Sequence, residues 1–214
     1  MRHLIVCGGK IDKEFGLNEI KTDGIDAIIA ADSGMDFLYE NGVTPDIIVG
    51  DFDSTTTNAL EYFERKGQTE IRRLNPIKDD TDTEYAIRLA ISEGARSIVL
   101  LGATGSRIDH VLGNISLLGI GLESGTDISI IDTNNRIRMA DKPVTIEKSA
   151  QYGRFVSLIA LTDDNEVSLK GFKYPVTDYS FDRFTSLGIS NEIVDDHALI
   201  DIHRGKFIII ESKD

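Results

Sequence analysis

The stretch Gly50-Asp51-Phe52-Asp53-Ser54 places two carboxylates at the end of an apolar run. In extended backbone, residues two apart point to one side, so Asp51 and Asp53 face together while Phe52 faces away. Adjacent like charges repel, and a buried carboxylate costs free energy unless something positive joins it. A solvated turn is one reading of the stretch. The other is an all-oxygen clamp for a hard cation such as Mg²⁺, which keeps several waters and shares its shell with phosphate. Further carboxylates recur in comparable settings: Asp32 after "DAIIAA", Asp79, Asp80 and Asp82 in "KDDTD", and Asp109 in "GATGSRIDH". In the last stretch, Gly102 and Gly105 let backbone approach a ligand, and Arg107 offers a planar fork suited to phosphate. It is not a Walker A loop, and "VCGGK" near the N-terminus is not a GxGxxG fingerprint. His110 is ambiguous and receives no role.

These residues need elements to hold them. "HLIVC", "DAIIAAD", "DIIVG", "EIRRL" and "SIVLLG" are short and mostly apolar, as strands covered on both faces are. Between them, Ser33 could cap a helix running to Gly42, and Ser54 one ending near Gly67. Thr81 with Glu84 fits a capping box for a helix to about Gly94, and a further helix spans roughly Asp109 to Gly121. This rhythm predicts a mostly parallel, Rossmann-like sheet with flanking helices over residues 1–125. Ligands of such sheets bind outside the carboxyl ends of the strands, where all of these aspartates fall. From 126 to 214 the segments are strand-like, with no long helix between them, which predicts a smaller all-β sandwich. Arg204 and Gly205 mark a hairpin turn, and Asp201 and His203 alternate with apolar neighbours as on a strand with one wet face.

The chain has 214 residues, of which 41% are hydrophobic and 28% charged, enough for a buried core. A formal net charge of −13 argues against non-specific binding to nucleic acid or anionic membranes. Cys7 is the only cysteine, so neither an intrachain disulfide nor a cysteine-held zinc is expected. The first apolar run is too short for a signal peptide, and no segment reaches the roughly 18 apolar residues of a membrane span. The expectation is a cytoplasmic protein that acts on small molecules.

"IIVGDFDST" also matches the first motif of haloacid-dehalogenase-like phosphatases, in which Asp51 would be a phosphorylated nucleophile. That motif belongs on the first strand, whereas two strand candidates precede it here. A non-catalytic nucleotide- or cation-binding protein is a third reading. A wider resemblance rests on four stretches in order: "ADSGMDFLYENGVTPDIIVGDFDS", "KDDTDTEYAI", "GATGSRIDHVLGNISLL" and "GISNE". Together they resemble the thiamine pyrophosphokinase family from about residue 28 to the C-terminus. The resemblance implies an α/β ATP-binding domain, a β-sandwich contributing to the thiamine pocket, and a homodimer. The implied reaction moves the pyrophosphoryl group of ATP to the thiamine hydroxyl and leaves AMP. It further implies that Asp51, Asp53 and Asp82 hold Mg²⁺, with Asp32, Asp79, Thr81 and Arg107 at ATP. Asp109, Asn114, Ser190 and Asn191 are implied to lie near thiamine. Asp51, Asp53, Asp82 and Arg107 would carry the catalysis.

Overall fold

The computed structural model describes residues 1–52, 58–75 and 80–214. By its internal contacts the chain divides into two units, Met1–Thr133 and Asn134–Asp214. The first unit runs β1 (Arg2–Val6), α1 (Lys13–Ile20), β2 (Ala27–Ala31), α2 (Gly34–Glu40), β3 (Ile47–Gly50), α3 (Ala59–Lys66) and β4 (Glu70–Arg73). It continues with α4 (Asp82–Ser92), β5 (Ser97–Leu101), α5 (Ile108–Leu117), α6 (Gly119–Ser124) and β6 (Asp127–Ile131). Its strands lie in the order β6-β5-β1-β2-β3-β4, and each neighbouring pair is parallel.

Parallel strands need a crossover between them, and the helices that supply it cover the sheet. Leu4, Val6, Ala30, Ile48, Val99 and Leu101 pack with Met35 and Leu38 of α2 and Phe63 of α3. The alternate set Ile5, Ile29, Ile98 and Leu100 is equally buried, which explains the unbroken apolar runs. The unit division falls beyond the junction expected at 125/126, because β6 pairs with β5 and completes the parallel sheet.

Helix starts differ from expectation in two places. The N-cap position of α3 is Asn58, and Ser54 lies outside the described residues. The α1 helix was not expected; Asp12 caps it by accepting the Phe15 N–H at 2.9 Å.

The second unit holds β7 (Asn135–Ala140), β8 (Val144–Glu147), β9 (Phe155–Ala160), β10 (Glu166–Lys170), β11 (Val176–Tyr179), β12 (Asn191–Glu192), β13 (His197–Arg204) and β14 (Phe207–Ser212). It is the expected all-β sandwich. One antiparallel layer is β12-β9-β14-β7 and the other β11-β10-β13-β8. Between them lie Ile146, Val156, Leu158, Val167, Leu169, Ile200, Ile202, Phe207 and Ile209.

The hairpin expected at Arg204–Gly205 is not formed. β13 pairs with β10 and β8, whereas β14 pairs with β7 and β9. The turn, with Gly205 at φ +89°, instead carries the chain from one layer to the other. At one end of the sandwich Glu211 is fully buried. It accepts from Arg136 at 2.9 and 2.7 Å, from Arg138 at 2.9 Å and from the Tyr152 N–H at 2.9 Å.

Candidate active site

In the first unit the strand order reverses at β1: the chain steps outward through β2, β3 and β4, then returns to β5 on the other side. A ligand crevice is expected outside the carboxyl ends of the strands at that reversal. Two loops meet there backbone to backbone. The Cys7 N–H donates to Leu101 O at 2.8 Å, and the Gly9 N–H to Gly102 O at 2.8 Å. A methyl group on Gly9 would lie closer than 3.0 Å to the carbonyl oxygens of both Gly102 and Thr104. One on Gly34 would strike Val6 O. Only glycine permits this stacking. Burial pushes the Cys7 thiol up to about 11, so it offers no thiolate nucleophile near neutral pH.

Three carboxylates converge beside this floor. Asp32 directly follows β2, Asp51 directly follows β3, and Asp82 opens α4. One oxygen from each lies within 4.8 Å of the others, and all three residues are half-buried. The apolar strands fix the first two positions. The third is fixed by the Thr81 cap, whose hydroxyl accepts the Glu84 N–H at 3.2 Å. The positive end of α4 favours a carboxylate in its first turn.

Two neighbouring residues adopt left-handed backbone, Asp32 at φ 47° and Phe52 at φ 63°. For a ring as bulky as Phe52 this is a true outlier, of the kind that clusters at functional sites at a cost of about 1–3 kcal/mol each. The Arg73 guanidinium lies over the Phe52 ring, 5.4 Å from its centroid. A half-buried donor set made only of carboxylate oxygens fits a hard divalent cation. Of the metal residues expected, Asp51 and Asp82 are brought together, joined by Asp32. Asp53 and Asp79 lie outside the described residues.

Arg107 stands at the N-cap position of α5 and binds Asp109 through two contacts, at 3.3 and 2.7 Å. Both side chains are exposed. The hydrogen bond from Arg107 is the main cause that holds the Asp109 carboxyl at about 2. Asn114 turns back and donates to Ala103 O at 2.8 Å, so its amide fastens the loop before α5.

In the second unit, Ser190 has φ 61° and donates its N–H to Ser157 Oγ at 3.0 Å. Asn191 is buried, and its amide clasps Tyr174. It accepts the Tyr174 N–H at 3.0 Å and donates to Tyr174 O at 2.9 Å. Tyr174 itself is 61% exposed, a residue that no spacing in the sequence singles out. Asp132 was also missed, although it ends the run "ISIID" just as Asp32 and Asp51 end theirs. Its carboxylate accepts the Thr104 hydroxyl at 2.9 Å.

Together these features define a Rossmann-like α/β protein with an acidic, glycine-floored crevice at its switch point, followed by a β-sandwich. Residues 21–130 match the family model "Thiamin pyrophosphokinase, catalytic domain", and residues 143–207 match "Thiamin pyrophosphokinase, vitamin B1 binding domain". The chain is 34% identical over 188 residues to a thiamine pyrophosphokinase of Bacillus subtilis, covering 87% of each. The crystal structure of thiamine pyrophosphokinase from Bacillus subtilis superposes with a TM-score of 0.89 at 32% identity, over all of both chains. That of Geobacillus thermodenitrificans gives 0.86 at 29% identity, over 100% of this chain and 98% of the other. The chain belongs to the thiamin pyrophosphokinase family.

Proposed function

We propose that the protein transfers the pyrophosphoryl group of ATP to the hydroxyl of thiamine. The observation that carries this reading is the meeting of Asp32, Asp51 and Asp82 at the switch point, in a chain that belongs to this family. The thiamine hydroxyl oxygen bonds to the β-phosphorus as the Pα–O–Pβ bridge breaks. AMP leaves with the bridging oxygen, and the hydroxyl proton passes to a carboxylate of the site. Such transfers need little covalent help from protein; they need alignment and charge neutralisation. Asp32, Asp51 and Asp82 would hold Mg²⁺, and Asp53, which lies outside the described residues, is assigned to the same ion. When bound, it would neutralise charge on the phosphate oxygens.

Arg107 is suited to phosphate through its planar fork, with Asp79 and Thr81 beside the nucleotide. Asp109 and Asn114 are assigned to the thiamine side. So are Ser190 and Asn191, the second of which holds Tyr174. The chain contains no tryptophan; Tyr174 is exposed, with Lys173 Nζ over one face of its ring at 5.5 Å from the centroid, and the opposite face is assigned to the cationic thiazolium.

Two coarser inferences accompany this. The chain works as a homodimer in the cytoplasm. No helix among the described residues is long and apolar enough to cross a membrane. On α5, Ile108 and Leu112 are 64% and 60% exposed, an apolar pair that a second copy would cover.

The test is to incubate the protein with ATP, Mg²⁺ and thiamine and identify the products. AMP and thiamine diphosphate are expected, formed only when all three are present. ADP as the nucleotide product, or turnover that ignores thiamine, overturns the reading. The phosphatase alternative predicts phosphate release without thiamine. It also needs Asp51 on the first strand, and Asp51 follows β3.

A further inference from the structure

The loop between β5 and α5 leads to Arg107, and three bonds fix its first half. Gly102 O accepts the Gly9 N–H at 2.8 Å, Ala103 O accepts the Asn114 amide at 2.8 Å, and Asp132 accepts the Thr104 hydroxyl at 2.9 Å. Beyond Thr104, the arm Gly105-Ser106-Arg107 is exposed. A methyl group on Gly105 would meet nothing closer than 3.7 Å. Thr104 is therefore the last fastened side chain before Arg107. Its partner stands at the carboxyl end of β6, rigidly paired to β5 in register Leu101↔Ile131.

We propose that Asp132 is a positioning residue that acts through Thr104 to set where Arg107 meets the phosphates of ATP. The inference rests on the nucleotide reading above, since it gives Arg107 an anionic ligand. A hydroxyl-to-carboxylate bond is charge-assisted and directional, and Asp132 is anchored by a sheet rather than by a loop. The bond fixes the direction in which the glycine arm leaves Thr104. The far end of the arm is held by α5, whose Val111 N–H donates to Arg107 O at 3.1 Å. Without the Thr104 bond the near anchor is lost, the short span between the two anchors loosens, and the cost of ordering it falls on ATP binding.

Thr104→Val keeps the shape of the side chain and removes the donor; Asp132→Ala removes the acceptor. Each is expected to weaken Mg·ATP binding about tenfold, the size of one lost hydrogen bond to a charged group. The double variant should bind no worse than either single one, because both break the same bond. Thr104→Ser, which keeps the hydroxyl, should bind as the wild type does. In an Arg107→Ala background, Thr104→Val should cost nothing further, a result that a merely structural bond would not give.

Mg·ATP binding to the resting protein is the readout, with Tm measured alongside, so the lock is tested apart from group transfer. Wild-type protein that binds ATP but yields no AMP with thiamine refutes the transfer reading and leaves the lock to be judged on binding. Wild-type protein that binds no ATP overturns both. Folded Thr104→Val with wild-type ATP affinity overturns the lock, as does an equal loss in the Arg107→Ala background. Should Asp132→Ala fail to fold, the isosteric Thr104→Val decides alone.

Discussion

Replacing Gly9 by alanine adds one methyl group where two loops touch. That methyl would approach two backbone oxygens, of Gly102 and Thr104, to less than 3.0 Å. Neither obstacle is the end of a flexible side chain, so a segment of backbone has to move. Gly9 N–H also donates to Gly102 O at 2.8 Å, and the displacement would stretch that bond. Overpacking of this kind costs about 1–3 kcal/mol. For a chain of this size, about 2–4 °C of Tm is lost for each kcal/mol.

Activity should suffer more than stability, because a shift of about 1 Å in a positioning loop can lower turnover by roughly 10²-fold. The matched control is Gly105→Ala on the same loop, where the nearest atoms lie at 3.7 and 3.8 Å, ordinary van der Waals contact. The assay is kcat/KM for ATP at saturating thiamine, with thermal unfolding of both variants. Gly9→Ala should lose both activity and a few degrees of Tm, while Gly105→Ala keeps its Tm. If the two variants cannot be told apart, the backbone-on-backbone floor does not position this loop.

Asp82→Asn preserves the opening turn of α4 but removes one charge from the carboxylate cluster. Turnover should fall by about 10²-fold or more, with weaker Mn²⁺ binding by calorimetry; activity within twofold of wild type would contradict the assignment. Asp109 has a depressed carboxyl, so any stabilisation from its pair with Arg107 is complete above the ordinary 3.8 and lost as pH falls through about 2. Arg107→Ala should return the Asp109 titration toward 3.8 by carboxyl NMR; a value still near 2 would mean that other donors hold it. Arg136→Met leaves the buried Glu211 with one arginine, and by the cost of breaking a buried pair Tm should fall by about 10 °C. An unchanged Tm would show that Arg138 and the Tyr152 amide suffice.

What the sequence made legible follows from which contacts are local. The parallel sheet was readable because strands buried on both faces become continuous apolar runs, and the carboxyl-end aspartates simply terminate those runs. The Thr81 cap was readable because its bond to Glu84 spans three residues. The link between β13 and β14 was misread, because a tight turn looks the same whether its strands pair or part into two layers. The grouping of Asp32 with Asp51 and Asp82 has no local signal, since it depends on which strands are neighbours. The clasp of Asn191 on Tyr174 spans 17 residues, and the bond between Thr104 and Asp132 spans 28. Neither has a local signal. The left-handed backbone at Phe52 had none either, because sequence favours glycine there and the strain is imposed by its surroundings.

The central claim is that an acidic crevice moves two phosphoryl units at once, with the thiamine hydroxyl as nucleophile. ATP labelled at its β-phosphorus tests this most directly. Incubated with the protein, Mg²⁺ and thiamine, the β-label should pass into thiamine diphosphate while the nucleotide product is unlabelled AMP. A β-label retained in ADP, or released as phosphate whether or not thiamine is present, would contradict the account.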